Sequence, residues 1–171
     1  MAIRRYVADS DNTITNAFEQ NLITRGSGSN MGRSDVSEVF TIYGQASSAS
    51  LEVARIITQF PVSDINSDRS EGTIPASGSV NFFLRLFNAR HSETTPKNFT
   101  LNVTSIKKQW EEGHGLDMEG YTDLTYDGTG SNWHRASSTA EWTTGGGDYH
   151  SDSSSSFSAS FFSKELSHFP F

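Results

Sequence analysis

The chain of 171 residues contains no cysteine. Disulfide bonds and thiolate chemistry are therefore excluded, and with them the cross-linking strategy of small secreted domains. The stability of the fold must come from side-chain packing and from association with other subunits. The length suits one hydrophobic core with terminal arms, because single domains are typically about 50–250 residues long.

Long apolar runs and clusters of positive charge are also missing. No window approaches the roughly 20 apolar residues that a membrane-spanning helix needs, and the opening residues 1–7 hold two arginines without an apolar stretch behind them. The sequence therefore predicts neither membrane insertion nor export by a classical signal. The 20 acidic residues outnumber the 13 basic ones and give a formal net charge of −7. A nucleic-acid-binding surface is not expected on such a chain.

Apolar residues make up only 34% of the sequence, which is below the usual share in globular proteins. The core must therefore draw on the aromatic residues, which comprise 12 Phe, 5 Tyr and 3 Trp. Ser, Thr, Gly and Asn fill the segments between short apolar runs. This composition favours a β-rich domain with many loops.

Four stretches have the alternation or the β-branched content of strands. Residues 36–43 carry bulk on both faces, which is typical of a buried strand, and residues 80–87 alternate in a way that predicts the central strand. Residues 99–105 have one apolar and one polar face, which predicts a half-buried strand. Residues 51–60 are long enough for a helix, but their β-branched residues favour a strand that Pro61 ends.

Short strands joined by turn-rich loops predict an all-β fold, an antiparallel β-sandwich of jelly-roll type with extended terminal arms. We expect residues 1–35 to form an N-terminal arm or an edge strand followed by a loop. Within them, the glycine- and serine-rich stretch 25–32 is expected to be a flexible linker or a turn. Residues 36–150 form the predicted sandwich domain, and residues 151–171 combine a serine-rich connector with a phenylalanine-rich tail.

Acidic pairs are the first candidates for catalysis, since two carboxylates can hydrolyse a glycoside when one is held protonated. Glu111 and Glu112 are adjacent, however, and adjacent residues on a strand point to opposite faces. The five histidines are scattered without the spacing of a zinc site, and no nucleophile elbow or phosphate-binding glycine loop is present. The sequence therefore predicts a non-enzymatic protein without a cofactor. Its one metal candidate is a structural calcium ion held by loop carbonyls and Asp148.

The glycine-rich stretch 110–150 holds the candidates for recognition, because ordered loops on a rigid scaffold often bind ligands. An aromatic ring can stack on a pyranose while a neighbouring amide bonds its hydroxyls. The candidate sugar-binding residues are Trp133, Tyr121, Tyr126 and Asn132. The alternative is structural, with Trp110 and Trp142 in the core and Trp133 over one end of the sandwich. We favour this alternative because tryptophan is highly buried on average.

Three stretches together resemble a known family. They are residues 54–65 (Ala-Arg-Ile-Ile-Thr-Gln-Phe-Pro-Val-Ser-Asp-Ile), residues 72–80 leading into Phe83-Leu-Arg-Leu-Phe87, and the segment 110–148 with its Asn-Trp and Trp-Thr-Thr-Gly-Gly-Gly-Asp motifs. In this order they are similar to the disaggregatase-related domain, a β-sandwich like the carbohydrate-binding modules of family 96. The likeness covers roughly residues 36–150 and implies a sandwich fold. It ends where the serine run and the phenylalanine-rich tail begin.

The opening sequence Met-Ala-Ile-Arg-Arg-Tyr-Val also resembles structural proteins of tailed phages that infect marine bacteria, including cyanobacteria. This resemblance implies a virion protein, made in the host cytoplasm, that decorates a capsid, neck, tail or fibre. Its implied partners are other virion proteins and copies of itself. The alternative function is a carbohydrate-binding module that recognises host surface polysaccharide.

The tail is the expected attachment device, because so many phenylalanines would be sticky in water unless they packed on a surface. The predicted assembly contacts are Phe157, Phe161, Phe162, Phe169 and Phe171.

Overall fold

The computed structural model describes residues 3–76, 78–87, 89, 101–116 and 130–150. These residues contain the strands β1 (Ser10–Thr15), β2 (Phe40–Tyr43) and β3 (Leu51–Gln59), and the helix α1 (Val62–Ser70). The strands form one antiparallel sheet in the order β1-β3-β2. A strand-rich fold with one short helix agrees with the predicted all-β class.

Strand β3 is the centre of the sheet and pairs along both of its edges. Thr15 and Phe40 both lie opposite Ala54, one from each neighbouring strand. The β-branched residues of this stretch suit a strand that is packed on its faces. The prediction of a strand over residues 51–60 is confirmed.

Helix α1 begins directly after Pro61, where the sequence alone suggested only the end of a strand. Proline is tolerated at a helix start because the first backbone N–H groups have no partner within the helix. Asp64 lies in the first turn and Arg69 in the last, each at the end that the helix dipole favours.

The cluster of buried apolar residues around Trp110 and Trp142 lies on one face of the sheet. Asn12 lies opposite Ile57 and is followed two residues later by Ile14, so the side chains of these three residues share that face. A layer of loops covers it. The buried cluster consists of Ile14, Ile57, Trp110, Ala136 and Trp142, and the half-buried Ile106, Trp133 and Ala140 pack against it.

Strand β2 is shorter and more exposed than the sequence predicted. It begins only at Phe40, and Thr41, Ile42 and Tyr43 are all exposed. The prediction of a buried strand over residues 36–43 is therefore wrong. Bulky residues on both faces are typical of a buried strand, but β2 lies at the edge of the sheet, where fewer neighbours cover it.

The two strands predicted after α1 are not formed in the described residues. Residues 80–87 belong to no strand, and their side chains are mostly exposed. Residues 101–105 are also outside any strand, while residues 99 and 100 lie outside the described part of the chain. The alternation in both stretches was correctly noted, but a strand also needs a neighbour to accept its backbone hydrogen bonds.

The N-terminal residues belong to the sheet. Of the two expectations for residues 1–35, the edge strand is the one found, since β1 pairs with β3 over its whole length. The stretch 25–32 has a turn at residues 27 and 28, but Gly28 to Met31 are buried. Of the two expectations for this stretch, the turn is therefore the one found, and the Met31 N–H donates to the Thr13 carbonyl, which joins the loop to β1.

Candidate functional site

Trp110 and Trp142 fill the space between the sheet and the covering loops. Each is only 6% exposed, and both contribute to the buried cluster. The Trp142 indole N–H donates to the Asn132 carbonyl at 2.9 Å, so its polar atom is satisfied inside the core. The expectation that these two residues are core residues is confirmed.

Asn132 shapes the loop that carries Trp133. Its side-chain Oδ1 accepts from the His134 N–H at 2.9 Å and from the Arg135 N–H at 2.8 Å. The residue is 4% exposed. Its amide oxygen is thus directed into its own turn rather than towards the surface, where a sugar hydroxyl would meet it.

Trp133 packs against a glycine-rich turn and an arginine. Gly146 has a φ of 87°, and a methyl group there would lie 2.7 Å from the Trp133 ring. The Arg55 guanidinium lies 5.1 Å from the Trp133 ring centroid and donates to the Gly146 carbonyl at 2.6 Å. The same guanidinium lies 5.4 Å from the Tyr149 ring, so one cation contacts two aromatic side chains.

Asp148 closes the turn on the other side of these glycines. Its carboxylate accepts from the Thr143 N–H at 2.9 Å and from the Thr144 N–H at 3.0 Å, and Lys108 Nζ lies 3.6 Å away. The Thr143 hydrogen bond above all, with those from Thr144 and the Lys108 charge, lowers the pKa of the Asp148 carboxyl below its usual value, although partial burial acts in the opposite direction.

Asp148, the candidate calcium ligand, uses its carboxylate to stabilise a turn. Both Asp148 oxygens hold backbone N–H groups. In the part of the chain that the structure describes, no group of three or more His, Asp or Glu side chains could hold a metal ion together. Asp148 acts there as a turn-capping residue.

Glu111 and Glu112 point to different elements. The Glu111 carboxylate accepts from the Ser138 N–H at 2.9 Å, whereas the Glu112 carboxylate accepts from the Asp11 N–H at 2.9 Å. The two side chains therefore stabilise two separate loop contacts. They do not converge on a common substrate position.

A second polar cluster joins the N-terminal residues to α1. Asp68 accepts from Arg4 at 2.7 and 2.9 Å and from the Tyr6 hydroxyl at 2.6 Å. The Arg4 and Tyr6 hydrogen bonds lower the pKa of Asp68, and the bond to Asp68 raises the pKa of Tyr6. This cluster holds residues 3–7 beside the helix.

Several residues at the loop layer were not foreseen. Asn12 donates to Ser131 Oγ at 2.8 Å and to the Ser131 carbonyl at 2.9 Å, and it accepts from the Met31 N–H at 3.0 Å. Arg55 was read only as part of a strand motif. The sequence signal for Arg55 is a polar side chain within an apolar run, whereas Asn12 lies among the polar residues 10–13, and neither signal identifies the partner.

The largest exposed apolar segment of the described chain is residues 80–87. Phe82 is 61% exposed, Phe83 87% and Phe87 76%, and the leucines between them are about half exposed. Beside β3, the outer strand β2 also exposes Tyr43 at 75%. We refer to residues 80–87 as the apolar segment and to the side of β2 away from β3 as the β2 edge.

The predicted site residues are only partly brought together. Trp133 and Asn132 share one loop, while Tyr121 and Tyr126 lie outside the described residues. The five predicted assembly contacts, from Phe157 to Phe171, lie outside them as well.

Comparison with protein-family models, with curated proteins and with solved structures found no match to this chain. Within the described ranges, no helix is long and apolar enough to cross a membrane.

Proposed function

We propose that this chain is a structural subunit of a bacteriophage particle and acts by binding other protein subunits. The observation that carries the proposal is the apolar segment, where three phenylalanines are more than half exposed within eight residues. Exposed apolar patches of this kind mark interaction surfaces in soluble proteins.

The side chains that were candidates for catalysis, metal binding or sugar binding support the same proposal. Asn132, Asp148, Glu111 and Glu112 each accept hydrogen bonds from backbone groups of the chain itself. A catalytic carboxylate must instead reach a substrate atom. Polar groups used in this way serve to fix loops.

The proposed fold is an antiparallel β-sandwich of jelly-roll type, with the loop layer as the start of its second sheet. Two antiparallel bridges support it, Ile106 with Tyr149 and Arg135 with Glu141. The Lys107 N–H also donates to the Asp148 carbonyl at 2.8 Å. The tryptophan core between this layer and the sheet has the position that a sandwich core would have.

The virion assignment rests on the resemblance of the opening residues to phage structural proteins. The proposed partners are other virion proteins and copies of this chain, with Phe157, Phe161, Phe162, Phe169 and Phe171 as assembly contacts. In a particle with many copies, weak contacts become collectively strong. The proposed location is therefore the virion, which the chain reaches from the host cytoplasm.

Labelling of intact particles with an antibody against this chain tests the proposal directly. Deletion of residues 166–171 should leave the melting temperature of the isolated protein nearly unchanged and remove it from particles. The variant Ser167→Ala is the control within the same segment and should assemble normally. Particles that never bind the antibody, or that incorporate the truncated chain as well as the full one, would contradict the proposal.

Carbohydrate binding is the second candidate, favoured by the aromatic rings around Arg55. Tyr149 is 45% exposed, and Trp133 is half-buried beside it. A dedicated sugar-binding module should bind host polysaccharide as an isolated monomer in affinity electrophoresis, and Trp133→Ala should abolish the retardation. A structural subunit should migrate unchanged in the same gels.

A further inference from the structure

The apolar segment has no backbone partner among the described residues. No hydrogen bond joins an N–H or C=O group of residues 80–87 to any other described residue. Its sequence nevertheless alternates, with Phe82, Leu84 and Leu86 on one side of an extended chain. A segment with strand periodicity and unused backbone groups is suited to join the edge of a sheet.

The β2 edge offers the matching surface. Because β2 is the outer strand of the order β1-β3-β2, only one of its sides pairs with a described strand. Ile42 is 38% exposed and Tyr43 75%. Edges of this kind are normally protected by short length, charge, proline or a covering element.

We propose that the apolar segment of one copy adds as a strand to the β2 edge of a second copy of this chain. The inference deepens the proposed structural role by naming the partner of this surface. The sheet would then extend from three strands to four, and the segment's side chains would continue the faces of β2.

The area supports a second copy as the occupant. Aromatic side chains bury about 150–250 Å² each, so at their exposed fractions Phe82, Phe83 and Phe87 would remove roughly 350–550 Å² from water. On the receiving edge, Tyr43 at 75% exposure would lose roughly 110–190 Å² more. Two reciprocal insertions would therefore bury roughly 900–1,500 Å² of aromatic surface, which reaches the lower part of the range of about 1,200–2,000 Å² for stable protein interfaces.

The test measures the mass of the purified full chain by analytical ultracentrifugation over a range of concentrations. The donor variant Phe83→Ser/Phe87→Ser changes the apolar segment, and the acceptor variant Thr41→Lys/Tyr43→Lys changes the β2 edge. All four side chains are exposed, so neither variant disturbs the core. Ile23→Ser, at 83% exposure, is the matched control for loss of an exposed apolar side chain.

The wild-type chain and the control should associate, while each double variant should raise the dissociation constant by roughly 100-fold or more. A mixture of donor and acceptor variants should associate more tightly than either variant alone and less tightly than the wild type, because the mixed pair contains one intact segment and one intact edge. A monomeric wild type, a mixture that stays monomeric, or a control that dissociates like the variants would each overturn the inference. A donor variant that loses melting temperature as a monomer would show pairing within one chain and would overturn it too.

The outcome is separable from that of the proposed function. A protein found on particles but monomeric when purified would refute strand exchange alone. A chain that associates as described but is missing from particles would refute the virion role alone.

Discussion

Trp110 and Trp133 differ in how far the chain covers their rings. Trp110 is 6% exposed within the buried cluster, while Trp133 is half-buried at its margin. We expect Trp110→Ala to lower the unfolding free energy by about 3–5 kcal/mol, as core aromatic truncations do, and Trp133→Ala to lower it less. Chemical denaturation followed by circular dichroism measures both. Equal losses for the two variants would contradict this division.

Gly146 is the point where backbone conformation and tryptophan packing meet. Gly146→Ala should destabilise the protein more than Gly72→Ala. Both residues have positive φ, 87° and 75°, but a methyl group at Gly72 meets nothing within 4 Å, whereas one at Gly146 meets the Trp133 ring and Arg55. Because the backbone cost of about 1–2 kcal/mol is common to both, the difference in melting temperature reports the close packing of Trp133. Identical melting temperatures for the two variants would show that the turn at Gly146 adjusts to the added methyl group without a loss of stability.

The lowered pKa of Asp148 makes its turn sensitive to acid. A carboxyl whose pKa is lower in the folded chain stabilises that state above the unfolded value of about 3.8, and the contribution is lost as the pH falls through the folded pKa. Asp148→Asn should therefore be less stable than the wild type at pH 7, with the gap narrowing below about pH 4. Urea titrations across this pH range measure the gap, and Asp35→Asn controls for the loss of one exposed negative charge. A gap that stays constant with pH would contradict the assignment.

At the scale of elements, the sequence correctly predicted a strand where local residue preference is enough to form one. The prediction failed where strand formation depends on pairing with a distant part of the chain. Residues 51–60 form a strand as expected, because their β-branched side chains suit the sheet centre and Pro61 ends it. Residues 80–87 have equally good alternation but no pairing among the described residues. Alternation states which side chains share a face, whereas pairing depends on a distant partner that no local pattern reveals.

In the loop layer, too, the sequence predicted some features and missed others. Burial of Trp110 and Trp142 follows from the size of their side chains. The cation between Trp133 and Tyr149 could not be foreseen, because Arg55 comes from β3, far along the chain. The hydrogen bonds of the Asn132 side-chain oxygen are local, because it accepts from the backbone N–H groups of His134 and Arg135. An asparagine just before a short turn often makes such bonds, so this contact could be expected from the sequence.

Helix α1 is connected to the N-terminal residues through one carboxylate. Asp68→Ala removes the acceptor of both Arg4 and Tyr6, so trypsin should cleave after Arg4 and Arg5 several times faster. Asp64→Ala, on the same helix, is the control and should leave the rate unchanged. Mass spectrometry of timed digests follows the cleavage, and equal rates in the two variants would show that Asp68 does not hold this segment.

At the scale of the whole molecule, the proposal of a non-enzymatic subunit has a direct chemical test. Incubation with bacterial polysaccharides, with or without calcium, should yield no new reducing ends and no unsaturated products, because the acidic side chains of the loop layer bond the chain's own backbone. Turnover that disappeared in Glu111→Gln or Glu112→Gln, but not in Glu141→Gln, would place a catalytic site at these residues and overturn the proposal.

The hydrogen bonds from Asn12 to Ser131 also bear on how the protein is made. The partners are 119 residues apart in sequence, so a ribosome that adds about 5–20 residues per second needs roughly 6–24 s to supply the second after the first. Residues 51–59 emerge early enough to pair with β1. The side-chain amide of Asn12 and the apolar face around Ile14, however, stay exposed until the loops that carry Trp110, Ser131 and Trp142 have been made. During synthesis, this face of β1 is therefore uncovered until residues 110–142 have left the ribosome.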